Sequence, residues 1–426
     1  MPERAVPIAA ILAAGGVCLA GRVASVSWPL AALLVWAGVR AFWNGLSVDP
    51  MSLRANAVVM EAARVRPLQI LVLLSFAAML YVAARHMPRT ATLRLGLLRV
   101  TVDPVRCAAW ALAGGVLYEA LFGYLNIWKV YPWMTFIQAD QVGRPMGFLT
   151  HPNYWGSFVA IGLPVVWSLC GLLPAVAIAA MIITSYSAGP AVAVAVGVAL
   201  LLWPHLSRRW RYGLIASASG IVSAVITVHE WRLSGRWENW AAAWPELARY
   251  PIIGQGLGSW RIWADNVNTK LSQASGRPEA WATLQAHNEP YQLWFELGLI
   301  GLFLVGLWVL QAGLASWVTW TADESRDALL RSPRPAWWQP GFITLDQAWV
   351  AVLVTAGVNS LASPTFHLPG QAAMVLFALA RIQASAARVW DQAREAESTF
   401  YHRVPAPVDP GRRRKPRVRR VKETAA

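Results

Sequence analysis

Residues 230 to 289 form the only long polar interval between hydrophobic runs in this sequence. The run before it, Tyr212 to Val228, and the run after it, Tyr291 to Trp320, are each long and apolar enough to cross a bilayer. A segment anchored at both ends by membrane helices folds as a compact loop at the membrane surface, and chemistry is expected there. The loop carries S-G-R-W-E-N-W-A-A-A-W, then P-I-I-G-Q-G-L-G-S-W, then A-H-N-E-P-Y-Q-L-W-F-E-L-G-L-I-G. Arg236 and His287 bracket its glycine-rich turn.

With 56% hydrophobic residues, 14% charged residues and a mean hydropathy of +0.41, the 426-residue chain is too apolar for an ordinary soluble protein. Apolar runs near 6–22, 25–43, 68–84, 105–125, 153–171, 173–188, 190–205, 212–229, 291–319, 343–362 and 366–384 predict an all-α polytopic membrane protein. About eleven spans are expected, within a range of 10–12. The chain divides into N-terminal membrane helices (1–229), the large external loop (230–290), C-terminal membrane helices (291–384) and a basic tail (385–426).

The formal net charge of +15 raises nucleic acid as a partner, but the placement of the charge argues against it. Lys and Arg gather in short connections and in R-R-R-K-P-R-V-R-R, Arg412 to Arg420, whereas the long loop holds six basic and six acidic side chains. This is positive-inside bias. It places the connections around Arg85–Arg106, Arg208–Arg211 and Arg326–Arg334, with the tail, on the cytoplasmic side. Residues 44–67, 126–150 and the long loop fall outside, and so does the N-terminus. The three cysteines, Cys18, Cys107 and Cys170, lie in apolar runs and read as core. The 25 Trp fit interface belts, and they also fit carbohydrate or lipid contact.

Three polar features stand outside the apolar pattern. In R-P-M-G-F-L-T-H-P-N-Y-W-G, Thr150 and Pro152 suit a helix start, while Arg144, His151 and Asn153 place polar groups at the outer membrane edge. A site and a simple helix start are both open readings. Glu289, Gln292 and Glu296 share one helix face running into the membrane, and Glu296 there is expected to pair with an Arg or a peptide donor as an anchor. Thr355, Asn359 and Ser363, spaced by four, form a polar face suited to gluing helices together.

Within the loop, Trp237, Trp240 and Trp244 fall on one helical face, with Arg236 one turn from Trp240. Either the Trp face is buried in the interface and Arg236 has no particular role, or Arg236 is held at headgroup depth and offers its planar fork to a phosphate. G-Q-G-L-G is a flexible turn able to bring backbone N–H groups near an anion, although it lacks the order of a nucleotide fingerprint. His287 precedes a helix start and suits a base near neutral pH. The sequence holds no H-E-x-x-H, no D-x-D and no nucleophile triad outside the membrane runs, so neither a metal nor a cofactor is expected.

At these residues the chain resembles the O-antigen ligase and polymerase superfamily of bacterial envelope glycan enzymes, over roughly residues 140 to 310. The resemblance implies an all-helical, multi-spanning protein of the bacterial cytoplasmic membrane, with an Arg and a His in the large external loop. The implied donor is a glycan on undecaprenyl diphosphate, and the acceptor is a hydroxyl of a glycan, a lipid A core or a protein. Carried over by position, Arg236 is a diphosphate ligand and His287 activates the acceptor hydroxyl. Substrate contacts are then expected at Arg144, His151, Asn153, Arg232, Trp240, Arg261, Glu289 and Glu296. Family members commonly carry Ser-Arg-Gly near the end of the helix after H-P-N, where this sequence reads T-S-Y-S-A-G-P, Thr184 to Pro190. Arg144, Arg232 and Arg261 are the candidate substitutes for that arginine.

The expected reaction displaces a lipid diphosphate from a sugar anomeric carbon by a hydroxyl, without metal, with Trp side chains stacking on sugar faces. The rival class is a transporter or flippase of lipid-linked glycans. That class predicts paired halves with broken helices at matched positions, and no such repeat stands in the sequence.

Overall fold

A computed structural model describes residues 28–47, 79–88, 90–95, 98–127, 144–145, 147–149, 151–185, 187–228, 233–275, 285–330, 335–336, 338–363, 365 and 369–403. Their helices in chain order are α1 (Trp28–Ser47), α2 (Pro104–Ile127), α3 (Pro152–Cys170), α4 (Leu172–Thr184), α5 (Ala188–Leu202), α6 (Arg208–Val228), α7 (Leu233–Arg249), α8 (Ser259–Ser275), α9 (Glu289–Leu330), α10 (Leu345–Ser360) and α11 (Pro369–Arg403). Four described stretches are long and apolar enough to cross a membrane: Pro104–Leu125, Ala188–His205, Glu289–Ala322 and Gly370–Ala396. Trp28–Arg40 and Leu172–Thr184 are shorter apolar helices. The apolar run at 6–22 and most of the run at 68–84 lie outside the described residues.

Two strands depart from the all-α expectation. Ala91–Leu95 (β1) and Leu98–Val102 (β2) pair antiparallel, with Leu93 opposite Val100 and Arg94 opposite Arg99. The period-two alternation of A-T-L-R-L and L-R-V-T-V suits a pleated strand, and the segment between the apolar runs is too short for a helical face to compete.

The bundle is built around α3, which packs against α2, α4, α5 and α10. Fifteen of its 19 residues are buried. Trp155, Val159, Ile161, Leu163, Val165 and Val166 sit in one core with Trp349 and Ala351 of α10 and Phe377 of α11. Lipid is as apolar as these side chains, so close packing and interhelical polar contacts hold the helices together, not exclusion from water. Gly197 of α5 lets α10 approach, since a Cβ there would run into the Thr355 side chain. Helix starts are capped locally: His151 caps α3 through its ring, and Thr344 with Gln347 forms a capping box on α10.

The long loop is mostly helix. α7 and α8 have their own small core of Ala243, Leu247, Trp260, Ala286 and Phe295, with Trp240, Trp263, Tyr291 and Trp294 packed on it. Residues 387–426 form a separate unit in which 387–403 are helical, so helix extends past the expected start of the tail at 385.

Candidate active site

After α7 ends at Arg249, the chain reverses through P-I-I-G-Q-G-L-G before α8 begins. Gly254 and Gly258 take φ of 75° and 78°, in the left-handed region that side chains disfavour. This turn docks on α9 where Gly298, at φ 70° and ψ −173°, interrupts the helix. Each irregular segment satisfies the other. Gln255 N–H donates to Phe295 O at 2.7 Å and Gly256 N–H to Glu296 O at 2.9 Å. In return, Leu299 N–H donates to Pro251 O at 2.9 Å and Ile300 N–H to Ile252 O at 3.2 Å. From α1, the Trp36 indole donates to Leu297 O at 2.9 Å and Arg40 to Gly254 O at 2.8 Å.

The anion that meets this turn belongs to the protein. Gly258 N–H donates to Glu296 Oε2 at 2.8 Å, so the turn is occupied by a structural carboxylate, and the anchor role expected of Glu296 is filled by a peptide donor. The other carboxylate oxygen accepts from Gln292 Nε2 at 3.0 Å, and Gln292 Oε1 accepts from Ala286 N–H at 3.0 Å. The polar stripe on α9 therefore carries a chain of hydrogen bonds from the glycine turn to the residue before His287.

His287 is clamped on both sides. The carbonyl of Ala286 accepts the Trp240 indole N–H at 2.8 Å, and Asn288 caps α9 by accepting Tyr291 N–H at 2.9 Å. Between these fixed points His287 adopts φ 53°, the only non-glycine positive φ among the described residues. Such a conformation persists where the surroundings over-determine it, and it clusters at functional sites. Nδ1 of His287 is buried with no hydrogen-bond partner among the described residues. Burial, then the charge of Arg236, then that of His151 push its pKa down to about 3. The ring is neutral at pH 7, as a proton acceptor must be. Its proton affinity is nonetheless far below that of the ordinary imidazole expected from the sequence, because among the described residues no neighbouring anion offsets burial and the charge of Arg236.

Arg236, on the first turn of α7, donates to the carbonyl of Ala362 at 3.2 Å. No carboxylate pairs with it among the described residues, and burial disfavours its charged form. Ala362 follows α10, where a buried polar seam joins that helix to α3. Ser157 Oγ bonds Asn359 Oδ1 at 3.1 Å and Ser363 Oγ at 3.0 Å, and Asn359 Nδ2 donates to Thr365 at 2.9 Å. Two of the three residues expected to glue helices do so. Thr355 Oγ1 is buried without a partner among the described residues.

Arg144 serves the connection between α4 and α5. Its Nε donates to Ser185 O at 2.8 Å, and its Nη2 lies 3.4 Å from both Asn153 Oδ1 and Ser187 Oγ. A guanidinium thus stands in the Thr184 to Pro190 connection, which has no arginine of its own. Asn153 also accepts from Ser187 Oγ at 2.6 Å. His151 Nδ1 accepts Asn153 N–H at 3.2 Å, which leaves Nε2 as the protonated nitrogen, and the ring packs on Tyr154 at 4.5 Å. Tyr154 donates to Gln285 at 3.2 Å, two residues before His287.

Of the residues expected at the site, Arg236, His151 and His287 come together. Arg144 and Asn153 form the adjoining polar layer. Arg261 pairs with Asp265 at 3.6 Å, and its charge reaches Tyr154. Trp240 is half-buried on Tyr291 with ring centroids 5.8 Å apart, while Trp237 and Trp244 are exposed, so the three tryptophans do not present one face. Glu289 is buried in the first turn of α9, on the side of the helix dipole that favours an anion. Arg232 lies outside the described residues. Tyr154, Gln285 and the Ala362 carbonyl went unread in the sequence. Tyr154 sits within the quoted H-P-N-Y, but nothing local distinguishes it from other interfacial tyrosines. Among the described residues, no three His, Cys, Asp or Glu side chains converge as metal ligands.

No curated protein matches the chain. Residues 173–306 match the family model described as O-antigen ligase, a stretch that takes in Arg236, the glycine turn and His287 but begins after Arg144, His151 and Asn153, and this match supports the resemblance of the chain to the O-antigen ligase and polymerase superfamily.

Proposed function

We propose that the protein transfers a glycan from undecaprenyl diphosphate to an acceptor hydroxyl at the outer face of the bacterial cytoplasmic membrane. The supporting observation is the meeting of Arg236, His287 and His151 where α3 begins and α10 ends, with Arg236 unpaired by any carboxylate among the described residues. An uncompensated guanidinium held at the membrane surface suits a diphosphate, and its fork can take two oxygens at once. Arg236 neutralises charge developing on the leaving diphosphate. His287 removes the acceptor proton. Arg144, already seated in the connection between α4 and α5, is the favoured second cation for the donor, ahead of Arg261, which is paired with Asp265. His151 and Asn153 line the donor side. The acceptor is a glycan, a lipid A core or a protein hydroxyl, and no metal takes part.

The test is transfer by the purified full chain in lipid, with undecaprenyl-diphosphate glycan, a candidate acceptor and a chelator, following glycosidic product and released lipid diphosphate together. Wild type should release lipid diphosphate in step with product. Arg236→Lys should lose about 10- to 100-fold, because a point charge does not replace a bidentate fork. Donor crossing the bilayer without released lipid diphosphate would instead identify a transporter.

A further inference from the structure

Among the described residues, His287 has none of the company that usually makes a histidine basic. A histidine base is commonly oriented and charged by a carboxylate hydrogen-bonded to its second nitrogen. Here Nδ1 is buried without a partner among the described residues, and the acceptor hydroxyl is assigned to the other ring nitrogen, Nε2. The charged and titratable groups acting on the ring are Arg236 from α7 and His151 at the head of α3. On its own helix, Glu296 is occupied by Gly258 N–H and Gln292, and Glu289 is buried in the first turn. Arg236 in turn has a neutral carbonyl, Ala362 O, as its partner. Among the described residues, both the arginine and the histidine therefore lack the same thing, an anion, and they lack it in one place.

We propose that the diphosphate of the donor supplies this anion, so that the proton-accepting centre is complete only in the donor complex. The inference rests on the donor assigned above. In that complex the acceptor O–H proton passes to Nε2 of His287 as the acceptor oxygen bonds to the anomeric carbon. The bond from that carbon to the phosphate oxygen breaks, and its electron pair leaves with the lipid diphosphate. His287 then hands the proton to the departing diphosphate and returns to the neutral form. Donor must bind before the acceptor hydroxyl is activated.

The experiment is histidine-detected NMR on the full chain in lipid nanodiscs, with the His287 resonance assigned by its loss in His287→Gln. Radiolabelled undecaprenyl diphosphate is the probe, and its retention is counted separately. In the free protein His287 should stay neutral to below pH 5. With saturating probe its titration midpoint should rise by about two pH units, a hundredfold gain in proton affinity. In Arg236→Gln the midpoint should rise without probe, by about one unit or more. Retained probe with an unmoved midpoint would end this inference and leave the donor assignment standing. No retained probe at all would end both.

Discussion

The indole N–H of Trp240 donates to the carbonyl oxygen of Ala286 at 2.8 Å, across 46 positions of sequence, and so fixes the backbone one residue before His287. Trp240→Phe keeps most of the ring but leaves that carbonyl unsatisfied, a loss of about 1–3 kcal/mol. We expect kcat to fall about tenfold because the bond sets the position of His287, whereas a rise in donor KM as well would mark Trp240 as a substrate contact. Steady-state transfer kinetics check this, and a wild-type kcat would show that the bond does not position the base.

The interlock of the glycine turn with α9 predicts steric intolerance at two places. A Cβ at Gly254 would stand 2.6 Å from Glu296 O, and one at Gly298 would overlap the Ile252 carbonyl, both at φ above 70° or equal to it. Neither neighbour is a flexible side-chain end. Gly254→Ala and Gly298→Ala should each lower the yield of folded protein severely, whereas Gly306→Ala, with open space around it, should not. Size-exclusion profiles and thermal melts of the three variants decide the matter.

His287 makes the fold acid-sensitive in a defined window. Its pKa is about 3 in the folded chain against the ordinary 6.5. The unfolded chain therefore binds the proton more readily. The stability associated with the neutral ring is fully present above pH 6.5 and is lost as pH falls from there toward 3, at up to about 1.4 kcal/mol per unit. His287→Asn removes the titrating group and tolerates a positive φ. Melting temperatures of the two proteins should diverge between pH 6.5 and 4.5, with the variant losing less. Parallel curves would mean that the histidine is not held below its ordinary range.

The charge bias of the connections predicts the side on which the site lies. Arg249 is well exposed at the end of α7, and Cys107, read from the sequence as core, is instead exposed in the first turn of α2. In whole cells, Arg249→Cys should react with a membrane-impermeant maleimide, while the native Cys107 should react only after permeabilisation. The reverse pattern would put the loop inside and remove the site from the outer face.

The mostly helical character, the apolar stretches at 105–125, 190–205, 291–319 and 366–384, and the helix that starts after A-H-N were legible from sequence because each depends on local composition or local spacing. Helix periodicity likewise placed Glu289, Gln292 and Glu296 on one face, and the adjacency of Gln292 and Glu296 follows from one turn of helix. The partner of that stripe was not legible. Glu296 meets Gly258 because a turn 38 residues earlier docks on a helix interrupted at Gly298, and interruption and turn satisfy each other only when both are folded. The same holds for Trp240, which belongs to an aromatic face by spacing but is drawn inward by one carbonyl acceptor while Trp237 and Trp244 stay exposed. The electrostatic state of His287 is wholly tertiary. Spacing says only that a histidine precedes a helix, whereas its burial and its nearness to Arg236 and His151 come from three segments far apart in the chain, and charge interactions act through distance in space.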